Sequence, residues 1–197
     1  MSEERRIRNS RPSVHCPSFR TLGPRRFCRG PFFLRGPSGN LGAMIGDDVL
    51  RDLLLTPRTF AVVGASPDPA RPSHFVARYL SRRDHRVIAV HPRHAGETMF
   101  GTTCVGDVSE IAEAVDVLDV FRRSEAVPAL VGSALAALPG LRCVWLQIGV
   151  RSSVARDMCA AAGVAFVEDR CPKIEMQRLT GELGRAGMVT GRVSSRL

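Results

Sequence analysis

The stretch Phe60–Leu80, FAVVGASPDPARPSHFVARYL, decides the fold. Phe60-Ala61-Val62-Val63 is a continuous apolar run that stops at Gly64. A loop of proline and small residues follows, and a helical pattern begins at Pro72. A strand, a glycine turn and a helix are the parts from which a nucleotide phosphate site is built, because the helix offers unpaired N–H groups to an anion. The dinucleotide fingerprint G-x-G-x-x-G has its first glycine here and lacks the later ones.

Downstream of this unit the pattern repeats in kind. Apolar, β-branched runs predict strands over Thr59–Val63, Arg86–Val90, Ala114–Val120, Arg142–Gln147 and Val164–Val167. Their continuous apolar character suits parallel strands covered on both faces. Between them, spacing and boundary residues predict helices over Ser73–Arg82, Ser124–Ala137 and Ser153–Ala162, with a shorter one near Val108–Ala114. Another helix is expected over Asp47–Leu55. Alternating β and α units imply a single α/β domain, a Rossmann-like doubly wound parallel sheet with right-handed crossovers.

Composition limits the function classes. The 197-residue chain suits one full core and is short for two, and it has no apolar stretch of membrane-spanning length. Residues 1–43 carry nine arginines and two glutamates, +7, of the total charge of +9. The remainder is nearly neutral, so nucleic acid is not the expected partner of the folded part. The Arg/Pro/Gly-rich segment 1–43 is expected to be a disordered tail, with Met44 an alternative start. The domain itself is expected over 44–180, followed by a flexible tail over 181–197. The six cysteines form no C-x-x-C pair, and Cys143 and Cys159 lie among apolar residues. That composition points to a reduced, cytoplasmic protein without a metal site.

An open parallel sheet binds ligands outside the carboxyl ends of its strands. After Val63 come Gly64, Ala65 and Ser66, then Arg71, Pro72 and Ser73. Gly64 permits a sharp turn or a close backbone approach, Ser66 adds a hydroxyl, and Arg71 can fork onto phosphate. After Val90 comes His91-Pro92-Arg93-His94, where an NAD-selecting enzyme would place Asp or Glu. Basic groups there favour a phosphorylated ribose, as in NADP or coenzyme A. Phe121 and Arg122 follow the third strand, and Gln147 and Gly149 the fourth. Gln147 either orients a ligand or bonds a neighbouring loop. In Glu168-Asp169-Arg170-Cys171-Pro172, Asp169–Arg170 reads as a structural pair and Cys171 as a small turn residue or, less directly, a thiol. No nucleophile–base–acid set, G-x-S-x-G elbow or Walker A loop is present.

Together, VVGAS…RPSHFVARYL, VIAVHPR, VDVLDVFRRSEAV, VWLQIGV and VEDRCPKIEMQRL resemble the small stand-alone CoA-binding domain proteins. That family is related to the CoA-binding amino-terminal domain of the succinyl-CoA synthetase alpha subunit. The resemblance runs from about Thr59 to Leu179. It implies a Rossmann-like domain whose ligand is coenzyme A or an acyl-CoA. It also implies that Gly64, Ala65, Ser66, Arg71 and Ser73 meet the diphosphate, and that Pro92 and Arg93 lie by the adenosine 3′-phosphate end. Phe121, Arg122, Gln147 and Gly149 would line the remaining cleft. His74 and His91 stand where relatives often carry Tyr or Asn. The synthetase's catalytic histidine belongs to a later domain, so ligase activity is not expected. Two expectations follow: a non-catalytic CoA-binding sensor, carrier or regulatory module, or an NADP-dependent oxidoreductase on the same scaffold.

Overall fold

A computed structural model describes residues 45–56 and 58–182. The 1–43 tail, and all but the first two residues of 181–197, lie outside the described residues.

The elements in chain order are α1 (Asp47–Leu55), β1 (Thr59–Val63), α2 (Pro72–Ser81), β2 (Arg86–Val90), β3 (Thr98–Met99), β4 (Thr102–Thr103), β5 (Val117–Val120), α3 (Val127–Ala137), β6 (Cys143–Leu146), α4 (Ser153–Ala161), β7 (Ala165–Val167) and α5 (Pro172–Leu179). Five strands form one sheet in the order β2-β1-β5-β6-β7. All four pairings are parallel. From β1 the chain steps outward to β2, then returns across β1 to β5. The topological switch therefore lies between β1 and β5.

Alternation along each strand sorts the core into two layers. Phe60, Val62, Val87, Val117, Cys143 and Trp145 face α1, α2 and α5. Ala61, Val63, Ile88, Leu118, Val120, Val144 and Leu146 face α3 and α4. Helices thus cover both faces, as the apolar runs predict. The N–H of Arg58 donates to His85 Nδ1 at 3.2 Å, so Nε2 carries the proton and donates to the Leu54 carbonyl at 3.0 Å. That buried neutral ring ties α1 to the sheet, and burial holds its pKa below the ordinary value.

Several boundaries differ from expectation. β5 starts at Val117 rather than Ala114. Asp116 replaces a ladder bond there, accepting the Thr59 N–H on its own carboxylate at 2.9 Å. The helix expected near Val108–Ala114 is one 3-10 turn, Val108–Glu110, capped by Asp107. Ser124–Ala126 is likewise a 3-10 turn ahead of α3. The β3–β4 hairpin was not expected. Its turn holds Phe100 at φ 53° and Gly101 at φ 82°, and the Phe100 ring packs edge-on against His74.

Candidate functional site

The ladder between β1, β2 and β5 continues one residue past the strand ends. Gly64 N–H donates to the Val90 carbonyl at 2.9 Å, and Phe121 N–H to the Val63 carbonyl at 2.8 Å. Gly64 has φ +85°, and a Cβ built on it would stand 2.5 Å from the Phe121 carbonyl oxygen. Glycine is required here by a backbone conformation and by a neighbouring peptide group. Two cavities lie at this edge of the sheet, one lined by Phe121 and the other by Val63.

The first cavity, about 760 Å³, is lined by Pro72 and Val76 of α2, Phe121 to Glu125, Gln147 to Val150, and Cys171 and Ile174 at α5. The second, about 580 Å³, is lined by Val63, Val90, Pro92, Ala95, Gly106 to Val108, Glu110, Arg122, Ala126 and Leu130. Both volumes fall in the range of small-molecule sites. Arg122 lines both.

Of the residues expected to bind, Phe121, Arg122, Gln147 and Gly149 meet in the first cavity and Pro92 and Arg122 in the second. Ala65 and Ser73 are buried, and like Gly64, Ser66, Arg71 and Arg93 they line neither cavity. Ser66 Oγ accepts the Asp68 N–H at 3.2 Å, and the Ser66 carbonyl meets His74 Nδ1 at 3.1 Å. Arg71 is exposed, 3.9 Å from the Asp68 carboxylate. Arg71 makes no capping side-chain bond to α2, whose first turn has no acidic residue. The N-terminus of that helix therefore carries no side-chain cap. By contrast, Ser152 Oγ caps α4 by accepting the Ala155 N–H at 3.2 Å.

Positive charge collects at the ends of β2 and β5. Burial first, then the charges of Arg122, His94 and Arg93, hold the His91 pKa below its ordinary value. Those groups therefore act on one small volume. Among the described residues, Arg93 and Arg122 form no salt bridge. Asp107 and Glu110 also line the second cavity, although each is engaged: Asp107 accepts the Ser109 N–H at 3.0 Å and Glu110 the Gly106 N–H at 2.9 Å. Sequence reasoning missed them. They reach the cavity through the bridge that sets Val105 beside Val90.

Beyond the first cavity, Asp169 accepts the Gly149 N–H at 2.8 Å and pairs with Arg151 at 2.7 Å. Cys171 is nearly buried, and burial raises its thiol pKa. That shift disfavours thiolate chemistry. Asp119, on β5, was also missed. It is fully buried, and its Oδ1 accepts from Gln147 Nε2 at 2.6 Å. Among the described residues no cluster of three His, Cys, Asp or Glu could hold a metal, and no helix is long and apolar enough to cross a membrane.

Cavities at the carboxyl ends of the strands lie where open parallel α/β sheets hold their ligands. Comparison with known proteins gives the family. The family described as "CoA binding domain" matches residues 58–177, and the chain belongs to it. A Thermus thermophilus structure described as cell-free ID.343 is 40% identical, with TM-score 0.65, covering 68% of this chain and 99% of that one. A hypothetical protein from Pyrococcus horikoshii OT3 is 30% identical, with TM-score 0.64, covering 70% and 94%. The uncharacterized protein YneT of Bacillus subtilis (strain 168) is 29% identical over 125 residues, 64% of this chain and 90% of YneT.

Proposed function

We propose that the protein binds coenzyme A or an acyl-CoA across the two cavities. It does so as a sensor, carrier or regulatory module, without a reaction of its own. The reading is carried by the family match over residues 58–177, which includes every strand end that lines the cavities. The diphosphate lies over Gly64, Ala65 and Ser66 at the uncapped start of α2, beside Arg71 and Ser73. The adenosine 3′-phosphate lies by Pro92, Arg93 and Arg122. The pantetheine arm runs along Phe121, Gln147 and Gly149 in the larger cavity.

The test is calorimetry of the full chain with CoA, dephospho-CoA, NADP and NAD. CoA is expected to bind more tightly than dephospho-CoA. Binding of NADP or NAD alone would overturn the reading in favour of an oxidoreductase.

A second measurement locates the phosphate. Burial first, then the charges of Arg122, His94 and Arg93, depress the His91 pKa, with Glu97 opposing. A dianion placed among them offsets their charge, so CoA is expected to raise the His91 pKa and dephospho-CoA to raise it less. NMR titration of the imidazole reads this directly. An unchanged or lower value with CoA would move the 3′-phosphate elsewhere.

A further inference from the structure

β5 reads Val117-Leu118-Asp119-Val120, and all four residues are buried. Asp119 is 0% exposed and lies in register with Val62 on one side and Trp145 on the other. A carboxyl group is costly in such surroundings, and an apolar residue of similar size would serve packing better. Its Oδ1 accepts from Gln147 Nε2 at 2.6 Å, while its Oδ2 has no partner among the described residues. One carboxylate oxygen thus has no hydrogen-bond partner among the described residues, and the other is held by a residue of the cleft.

A primary amide has two unlike ends, an acceptor oxygen and a donor nitrogen, and nothing in its own shape decides which faces a ligand. Once ionised, as at pH 8, the Asp119 carboxylate only accepts. It therefore draws the nitrogen of Gln147 inward and leaves the oxygen for the cavity that Gln147 lines. Gln147 is 8% exposed, so a small part of it meets the cleft.

We propose that Asp119 is a positioning residue that holds Gln147 as a hydrogen-bond acceptor in the larger cavity, selecting a ligand arm that offers an amide N–H. The proposal rests on the CoA reading, since the pantetheine arm carries two such amides. It assigns Asp119 a role in specificity that packing alone does not explain.

The test is a double-mutant cycle on the full chain at pH 8. Asp119→Leu and Gln147→Met are each titrated with CoA and with adenosine 3′,5′-bisphosphate, a nucleotide without the arm. Each single variant is expected to lose at least tenfold in CoA affinity and less than twofold for the bisphosphate. The double variant is expected to lose no more than either single one, because both act through one hydrogen bond. In the ligand-free wild type, the Gln147 side-chain amide is expected to give a slowly exchanging, downfield-shifted NMR signal that Asp119→Leu abolishes. Additive losses, equal losses for both probes, or unchanged CoA affinity in Asp119→Leu would overturn the proposal alone. A wild-type chain that does not bind CoA would overturn the reading beneath it.

Discussion

Gly64→Ala is expected to lower the melting temperature by roughly 10 °C, a loss of at least about 3 kcal/mol. Two costs combine. An alanine at φ +85° occupies the left-handed region that L side chains avoid, and its Cβ would stand 2.5 Å from the Phe121 carbonyl oxygen. That oxygen belongs to backbone next to the β1–β5 ladder and cannot rotate away. Gly149 provides the control. It too has positive φ, +81°, but nothing lies within 4 Å of its added Cβ. Gly149→Ala should cost only the conformational part, about 1 kcal/mol. Equal melting temperatures for the two variants would show that the close approach at Gly64 relaxes without penalty.

The second large effect is on stability against pH. Burial pushes the Asp119 carboxyl up to about 7, with Gln147 and the Val120 N–H partly opposing the shift. Among the described residues the Cys143 and Cys171 thiols, both with pKa values raised chiefly by burial, also feel its charge. In the unfolded chain an aspartate titrates near its ordinary value of 3.8. Between these two values the folded protein holds more protons than the unfolded chain, so stability falls as pH rises. Below about pH 4 both states are protonated and no penalty remains. Above about pH 7 the full penalty is present, on the order of a few kcal/mol. Asp119→Leu removes the group. It should raise the melting temperature at pH 8 and leave a smaller difference at pH 5. The stabilisation should accompany the loss of CoA affinity proposed above, so one substitution moves stability and binding in opposite directions. A difference between wild type and variant that stays flat from pH 5 to pH 8 would refute the buried titration.

The layered fold was legible because covered parallel strands need unbroken apolar runs. β1 and β2 follow their predicted limits residue by residue. β5 did not, because Ala114–Val120 stays apolar while regular pairing begins only after Asp116 has capped Thr59. The β3–β4 hairpin left no readable trace. Two-residue strands are too short for alternation, and Phe100 is an unusual occupant of a positive-φ turn position. Position after a strand end singled out Phe121, Arg122, Gln147 and Gly149, which line the first cavity, but also Gly64, Ala65, Ser66, Arg71, Ser73 and Arg93, which line neither cavity. Asp107 and Glu110 follow no major strand, and their place depends on how the loop folds back. Asp119 left a signal that went unused: an acidic residue inside a strand whose neighbours are all apolar.

Arg122 lines both cavities, so one guanidinium is shared by two chambers. A ligand that occupies both, as proposed above, would meet that group from each of them, whereas a ligand confined to one chamber would meet it once. Residues that line one chamber alone can change without altering the lining of the other, but a change at Arg122 alters both at once.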